Sequence, residues 1–137
     1  MALPNGAGGY QLGDGNINEV DFTVVPVPAT ATATATLTAA QILNGILLGS
    51  PGSSAASYTL PTVADLELAL PSADKPGVAF DFSVVNVDGS SSGVSTLVTN
   101  TGWTLVGLMT VAATAGTAQM FRARKSGTGT WTLYRIG

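Results

Sequence analysis

The sequence of 137 residues contains no cysteine and no histidine. The chain therefore has no thiolate or imidazole to bind a metal, no disulfide framework, and no Ser-His-Asp or Cys-His nucleophile system. Most familiar enzyme chemistry is excluded by these two absences. We expect a protein that is not an enzyme and that uses no metal or cofactor.

Charge is also scarce, since charged residues make up 9% of the chain against roughly 25% in an ordinary soluble domain. Up to residue 74 the chain has six acidic residues and no lysine or arginine; from residue 75 onward it has five basic and two acidic residues. The net charge of −3, with only three clustered bases, provides no basic face for a nucleic acid. An acidic first half and a weakly basic end suggest pairing between copies of one chain.

Long hydrophobic runs are absent as well. The longest apolar stretch, near residues 42–48, is interrupted by Asn44 and Gly45, and it is far shorter than the ~18 residues that a membrane span requires. Residues 1–6 lack the basic and apolar regions of a targeting signal. We therefore expect no membrane segment, and a protein that acts where it is synthesised.

The first twenty residues have the composition of an extended arm. Five glycines are interspersed with apolar side chains, without a period of 2 or 3.6 residues. Two interpretations stay open, namely a disordered terminus and an arm that becomes ordered on a partner. We favour the second, because solvated tails contain few aromatic and β-branched residues. The residues expected to make the partner contacts of this arm are Tyr10, Leu12, Ile17, Val20 and Phe22.

Two prolines mark the end of this arm. The segment 21–25 predicts a β-strand that runs into Pro26 and Pro28. Residues two apart direct their amides to the same strand edge, so the prolines remove two donors from one edge. This pattern indicates a sheet margin or an extended linker. We therefore divide the chain into an extended arm or linker over residues 1–28 and a β-sandwich domain over residues 29–137.

Alternating threonine and alanine follow over residues 30–37. The alternation favours a strand with a face of small residues, and a low-complexity linker is the alternative. Thr38 and Gln41 have the spacing of a helix capping box, and Thr62 repeats the cap signal before a segment that Pro71 ends. The sequence thus predicts two short helices.

Beyond these helices the apolar pattern has a period of two, which predicts short strands. Residues 78–84 alternate, and a change of phase at Val85 and Val87 predicts a bulge. Residues 120–124 and 130–135 flank a Gly-rich turn and predict a hairpin. From residue 78 onward we expect antiparallel pairing, and about eight short strands in all favour a β-sandwich or jelly roll.

The acidic residues form no convincing catalytic or metal site. Asp14, Asn16 and Asn18 mimic the first three ligands of a calcium loop, but the positions of the turning glycine and the bidentate glutamate hold Glu19 and Val25. We therefore expect no calcium site of that type.

Asp65 and Glu67 are a close pair of carboxylates on the second predicted helix. Helix positions two apart point to different sides, so the pair cannot share a substrate. We expect Asp65 to complete the cap of this helix instead.

Several charged residues are candidates for contacts between subunits. Arg122 and Arg124 share the outward face of one predicted strand, with Arg135 facing them across the hairpin. Stacked like charges require acidic partners. These would come from Asp81, which also faces outward, or from the acidic arm of a neighbouring copy. The candidate inter-subunit charge contacts are thus Asp81, Arg122, Arg124 and Arg135.

Three aromatic residues could form a platform on which a sugar stacks, namely Trp103, Trp131 and Tyr134. However, Trp131 alternates with threonines as a core residue of a strand does. We favour core packing over carbohydrate binding.

Five segments together resemble structural proteins of tailed bacteriophages, particularly the small head decoration (cement) proteins of aquatic phages, including the cyanophage type. The resemblance covers roughly residues 30–137, and its motifs are scaffold patterns rather than catalytic ones. The segments are TLTAAQILNGI at 36–46, YTLPT at 58–62, FDFSVVN at 80–86, TGWTLVG at 101–107 and FRARKSGTGTWTLYR at 121–135.

This resemblance implies a mainly β fold, a jelly-roll-like β-sandwich with two short helices and an extended N-terminal arm. It implies a homotrimer on the exterior of a capsid. The expected partners are further copies of the chain and the major capsid protein, and we expect binding to neither nucleic acid nor membrane. Such a protein is made in the host cytoplasm, stabilises the shell and is located in the virion. Similar modules occur in head fibres and tails, so a receptor- or glycan-binding module that uses Trp103 or Tyr134 is the alternative.

Overall fold

The computed structural model describes residues 22–137, which form ten β-strands and two short α-helices in two sheets. The fold is therefore mainly β, as the sequence predicted. The elements in chain order are β1 (Ala29–Ala31), β2 (Ala35–Thr36), α1 (Ala39–Leu43), β3 (Ile46–Gly49), β4 (Ala56–Thr59), α2 (Val63–Ala69), β5 (Ala79–Asn86), β6 (Ser95–Val98), β7 (Trp103–Val106), β8 (Thr110–Val111), β9 (Ala118–Gly127) and β10 (Thr130–Arg135).

The chain alternates between the two sheets as it advances. The six-stranded sheet has the order β1-β3-β5-β9-β10-β7, and the four-stranded sheet has the order β2-β4-β6-β8. In the first half, β1, β3 and β5 pair in parallel, as do β2, β4 and β6. This half therefore winds from one sheet to the other and back. The second half completes both sheets.

Strand direction is where the sequence prediction fails in part. After residue 78 the expected antiparallel pairing is present between β5 and β9, β9 and β10, and β6 and β8. The prediction is wrong for β7, which pairs in parallel with β10, and for the pairs of β5 with β3 and of β6 with β4, which are also parallel. The reason is physical, because a period of two fixes the face that each side chain occupies but not the direction of the neighbouring strand.

The Thr/Ala stretch 30–37 forms two strands in different sheets rather than the single strand predicted. β1 pairs with β3 and β2 pairs with β4, so the chain crosses between the sheets in the intervening residues. At this crossing the Thr34 hydroxyl accepts a hydrogen bond from the Ser57 amide at 3.1 Å. The stretch therefore forms strands at both of its ends, and these strands are separated by the residues that cross from one sheet to the other.

The bulge predicted at Val85 and Val87 is also wrong. The register of β5 on β9 runs unshifted from the pair Ala79 and Arg124 to the pair Val85 and Ala118. Val85 keeps the alternation of β5, and Val87, one residue beyond the end of the strand, is also turned away from the core. The apolar pattern changes phase because β5 carries apolar side chains on both of its faces at this end.

Both helices begin at the threonines predicted to cap them. The Thr38 hydroxyl accepts from the Gln41 amide while the Gln41 side chain accepts from the Thr38 amide at 2.7 Å, which is the reciprocal capping box. At α2 the Thr62 hydroxyl accepts from the Asp65 amide at 3.2 Å. Neither described helix is long and apolar enough to cross a membrane.

One hydrophobic cluster unites the two sheets and the helices. It includes Phe82 and Phe121 of the six-stranded sheet, Tyr58 of the four-stranded sheet, Ile42 of α1 and Leu66 of α2. Each of these side chains is at most 2% exposed. The shared core fixes which face of each sheet remains outside.

Candidate interaction surface

The six-stranded sheet has a second face that points away from the core. Successive residues of a strand point to opposite sides, and the buried residues of β5 and β9 include Phe82, Val84 and Phe121, so the intervening residues point outward. These outward positions, which we call the outer face, carry several large apolar side chains that are more than two-fifths exposed. They are Ile46 (43%), Val87 (41%), Val106 (46%), Met120 (45%) and Ile136 (44%).

The register of the sheet brings these side chains together. Ile46 pairs with Ser83, and Ser83 pairs with Met120 on the next strand. The Ile136 amide donates to the Met120 carbonyl at 2.9 Å, which extends the row onto the end of β10. Val106 on the edge strand β7 pairs with Tyr134 of β10. Exposed apolar side chains of the outer face therefore lie on or at the ends of five strands, with Ser83 and the pair of Asp81 and Arg122 among them. Several exposed apolar side chains on one face mark a candidate site of protein contact.

A second exposed apolar surface lies just before β1. Residues 22–28 form no strand, so the strand predicted over 21–25 is absent from its described part. Phe22, Val24 and Val27 are 84%, 99% and 88% exposed. The Asn44 side-chain amide donates to the Val27 carbonyl at 2.8 Å and anchors the end of this segment to the domain. Pro28 directly precedes β1, which is an edge strand of the six-stranded sheet, so both interpretations of the prolines stay open.

Asp81 and Arg122 form an ion pair on the outer face. They are direct cross-strand partners in β5 and β9, and the Asp81 carboxylate accepts from Arg122 Nε at 2.8 Å and Nη2 at 3.0 Å. The two side chains are 41% and 51% exposed. The hydrogen bonds from Arg122 lower the pKa of Asp81. The sequence-based pairing of these residues is therefore present within one chain.

The other two arginines are positioned differently from each other. Arg124 points outward beside Arg122, and no carboxylate of the described residues lies within ion-pairing distance of it. Arg135 does not face the two arginines, because Tyr134 and Thr132 occupy those cross-strand positions. Its guanidinium instead donates to the Gln119 side chain at 3.0 Å and the Leu108 carbonyl at 3.3 Å.

The two tryptophans lie in the core, as favoured from the sequence. Trp103 is 8% exposed and donates through Nε1 to the Pro61 carbonyl at 2.7 Å. Trp131 is 1% exposed, and its ring centroid lies 6.3 Å from that of Trp103. Neither ring presents a face on which a sugar could stack. Of the three aromatic candidates, only Tyr134 is partly open to solvent.

Sequence reasoning missed a polar cluster inside the domain. The Lys125 ammonium, on a side chain only 8% exposed, donates to Glu67 Oε2 at 2.7 Å and to the Ala73 carbonyl at 2.9 Å. Trp131 Nε1 donates to the same carboxylate oxygen at 3.1 Å. The hydrogen bonds from Lys125 and then Trp131 lower the pKa of Glu67. A signal was present, because Lys125 continues the inward phase of Phe121 in β9.

Some predicted residues lie outside the described part of the chain. These are Tyr10, Leu12, Ile17 and Val20 of the arm and the residues Asp14, Asn16 and Asn18. Within residues 22–137, no three histidine, cysteine or acidic side chains are grouped so that they could hold a metal. No family model, curated protein or solved structure matches the chain. The outer face and the segment 22–28 are thus the described features that are open to contact with another molecule.

Proposed function

We propose that this protein is a structural component of a tailed-phage virion. In this proposal it binds the capsid exterior as a homotrimer and stabilises the shell, with the major capsid protein as its second partner. The observation that carries the proposal is the exposed apolar surface of the outer face and of the segment 22–28. Groups of exposed apolar side chains often mark sites of protein contact, so contact with other proteins is the best-supported use.

The composition supports the same proposal. Because only 9% of the residues are charged, covering the surface of this protein with another protein removes apolar area from water and stabilises the complex. An arm that binds a shell gains further from repetition, because many weak contacts on one lattice act together. Under the proposal, residues 1–28 are the anchor to the capsid or to a neighbouring subunit, and the β-domain is the body of the trimer.

A jelly-roll-like sandwich would be the finer description of the two sheets. This description remains part of the proposal, and its support is the single core that the sheets share. The parallel strand pairs of the first half count against it, since a jelly roll consists of antiparallel strands.

The alternative, a glycan-binding module of a fibre or tail, has less support. It relied on Trp103 or Tyr134, and Trp103 is buried with its N–H already bound. The alternative therefore depends on Tyr134. A glycan array would favour it if binding is lost in Tyr134→Ala while the protein stays folded.

Two measurements test the proposal. Light scattering after gel filtration should give about three times the chain mass of 13.7 kDa. The full chain should also sediment with expanded, undecorated phage capsids, and deletion of residues 1–20 should abolish this binding without unfolding the β-domain. Undiminished capsid binding by the deletion variant would contradict the role of the arm. Failure of the full chain to bind any capsid tested would overturn the proposal itself.

A further inference from the structure

We propose that copies of this chain associate through the outer face of the six-stranded sheet, and that the segment Phe22–Val27 of a neighbouring copy covers it. This inference rests on the self-association within the proposed function, although it does not require a capsid. Its first support is the distribution of exposed apolar side chains. The outer face and this segment hold most of the large apolar side chains that the described chain leaves exposed, and only Leu68 on α2 and Leu108 between β7 and β8 lie apart from both.

The segment does not cover the outer face of its own chain. Phe22 is 84% exposed and Val24 is 99% exposed, so both side chains point into solvent where the segment leaves β1. The Asn44 side-chain amide donates a hydrogen bond of 2.8 Å to the Val27 carbonyl, which holds the end of the segment against the domain. An apolar segment that leaves the domain uncovered requires a surface on another molecule.

Charge complementarity identifies that molecule as a second copy. The outer face carries Arg122 and Arg124 against the single acid Asp81, which leaves a positive charge beside the apolar row. The sequence up to residue 28 contains three acidic residues and no lysine or arginine. The start of the chain is apolar and acidic, and the outer face is apolar and basic. The start of one copy is therefore complementary to the outer face of another copy.

The prolines define how the contact is made. Pro26 and Pro28 lack amide donors, so the segment cannot form a full strand ladder at a sheet edge. Contacts through side chains on a face do not need those donors. We therefore assign the segment to the outer face near Met120 and Ile136 rather than to the free edge of a sheet.

The absence of cysteine makes a cross-linking test straightforward. One copy, carrying a mass tag, receives Val24→Cys, and an untagged copy receives Met120→Cys. After mixing and mild oxidation we expect a disulfide-linked heterodimer. The control replaces Met120→Cys by Leu68→Cys, which places the thiol on an apolar site away from the outer face that is more exposed than Met120, at 80% against 45%. A heterodimer no more abundant with Met120→Cys than with Leu68→Cys would overturn the inference.

A second experiment measures association directly. We expect Met120→Glu to weaken self-association at least about tenfold, because it places a charge in the apolar contact and repels the acidic residues that precede the segment. Leu68→Glu should leave association unchanged, and tryptophan fluorescence should show that both variants are folded. Equal association of Met120→Glu and the unmodified chain would refute the surface.

The two proposals fail in different ways. Specific cross-links without capsid binding would support the surface and overturn the virion function. Capsid binding without specific cross-links would do the reverse.

Discussion

The ammonium of Lys125 lies 2.7 Å from Oε2 of Glu67, and this ion pair joins α2 to the hairpin of β9 and β10. The two partners differ in their access to water, since the Lys125 side chain is 8% exposed and that of Glu67 is 27% exposed. Loss of the carboxylate therefore leaves a buried cation without a counter-charge. Loss of the ammonium leaves an anion that water can reach.

This asymmetry predicts unequal costs for the two single substitutions. Glu67→Gln should lower the free energy of unfolding by roughly 2–3 kcal/mol, and Lys125→Met by only about 1 kcal/mol. Urea unfolding followed by tryptophan fluorescence measures both. Equal costs, or a larger cost for Lys125→Met, would contradict the interpretation of the pair.

The same pair predicts a dependence of stability on pH. The pKa of Glu67 in the folded chain is below its ordinary value of 4.5. A carboxyl group with a lowered folded pKa stabilises the fold above its unfolded pKa, and this contribution is lost as the pH falls through the folded value. Stability should therefore decrease on acidification below about pH 4.5, and Glu67→Gln should weaken that decrease. Asp65→Asn, on the same helix but outside the cluster, is the control.

Asn86 is a fully buried polar residue at the end of β5, and all its hydrogen bonds are made inside the domain. Its amide nitrogen donates to the carbonyls of Gly93 and Ala112, each at 2.9 Å, and its oxygen accepts from the Gly89 amide at 2.6 Å. Asn86→Asp would direct an acceptor at two carbonyls. We expect it to destabilise the domain by roughly 3 kcal/mol or more at neutral pH.

The matched control is Asn100→Asp, because Asn100 also donates to a carbonyl, that of Leu60, but is only partly buried. Its substitution should cost less than that of Asn86. Thermal unfolding of the two variants, measured side by side, decides the point.

Gly102 lies between β6 and β7 with a φ of 93°, and an added Cβ would lie 2.6 Å from Cβ of Val63. Gly102→Ala therefore combines backbone strain with a steric clash. At Gly45 the φ is 98° and no atom lies within 4 Å of the added carbon. Gly45→Ala should cost roughly 1–2 kcal/mol from the backbone alone, and Gly102→Ala about 1–3 kcal/mol more. Equal costs, measured by chemical denaturation, would show that the clash at Gly102 is relieved.

Local signals were sufficient to predict much of the fold. The caps at Thr38 and Thr62 use hydrogen bonds between residues three apart, so the sequence contains both partners. The hairpin of β9 and β10 likewise joins adjacent strands around a Gly-rich turn. Core placement of Trp131 followed from the alternation of a single strand. Each of these predictions needed no knowledge of the tertiary arrangement.

Features that join distant parts of the chain could not be predicted in this way. Glu67 and Lys125 are separated by 58 positions, and their meeting depends on how α2 docks on the sheet. The parallel winding of the first half leaves no mark in the alternation of the strands. The apolar outer face does leave a mark at Val85 and Val87, but the same change of phase is typical of a bulge, and a single strand does not distinguish a bulge from a second apolar face.

The alternation of strands between the sheets has a consequence for how the protein folds. In the described chain, β9 and β10 are the only consecutive strands that pair with each other, and every other pair joins strands with another element between them. The chain loses conformational entropy when these intervening segments close, and it does so before the strand contacts form, which slows folding. We therefore expect slow folding with the β9–β10 hairpin as an early structure. In the six-stranded sheet β10 is the strand that joins β7 to β9. This sheet therefore stays incomplete during synthesis until β10, which ends at Arg135, has left the ribosome.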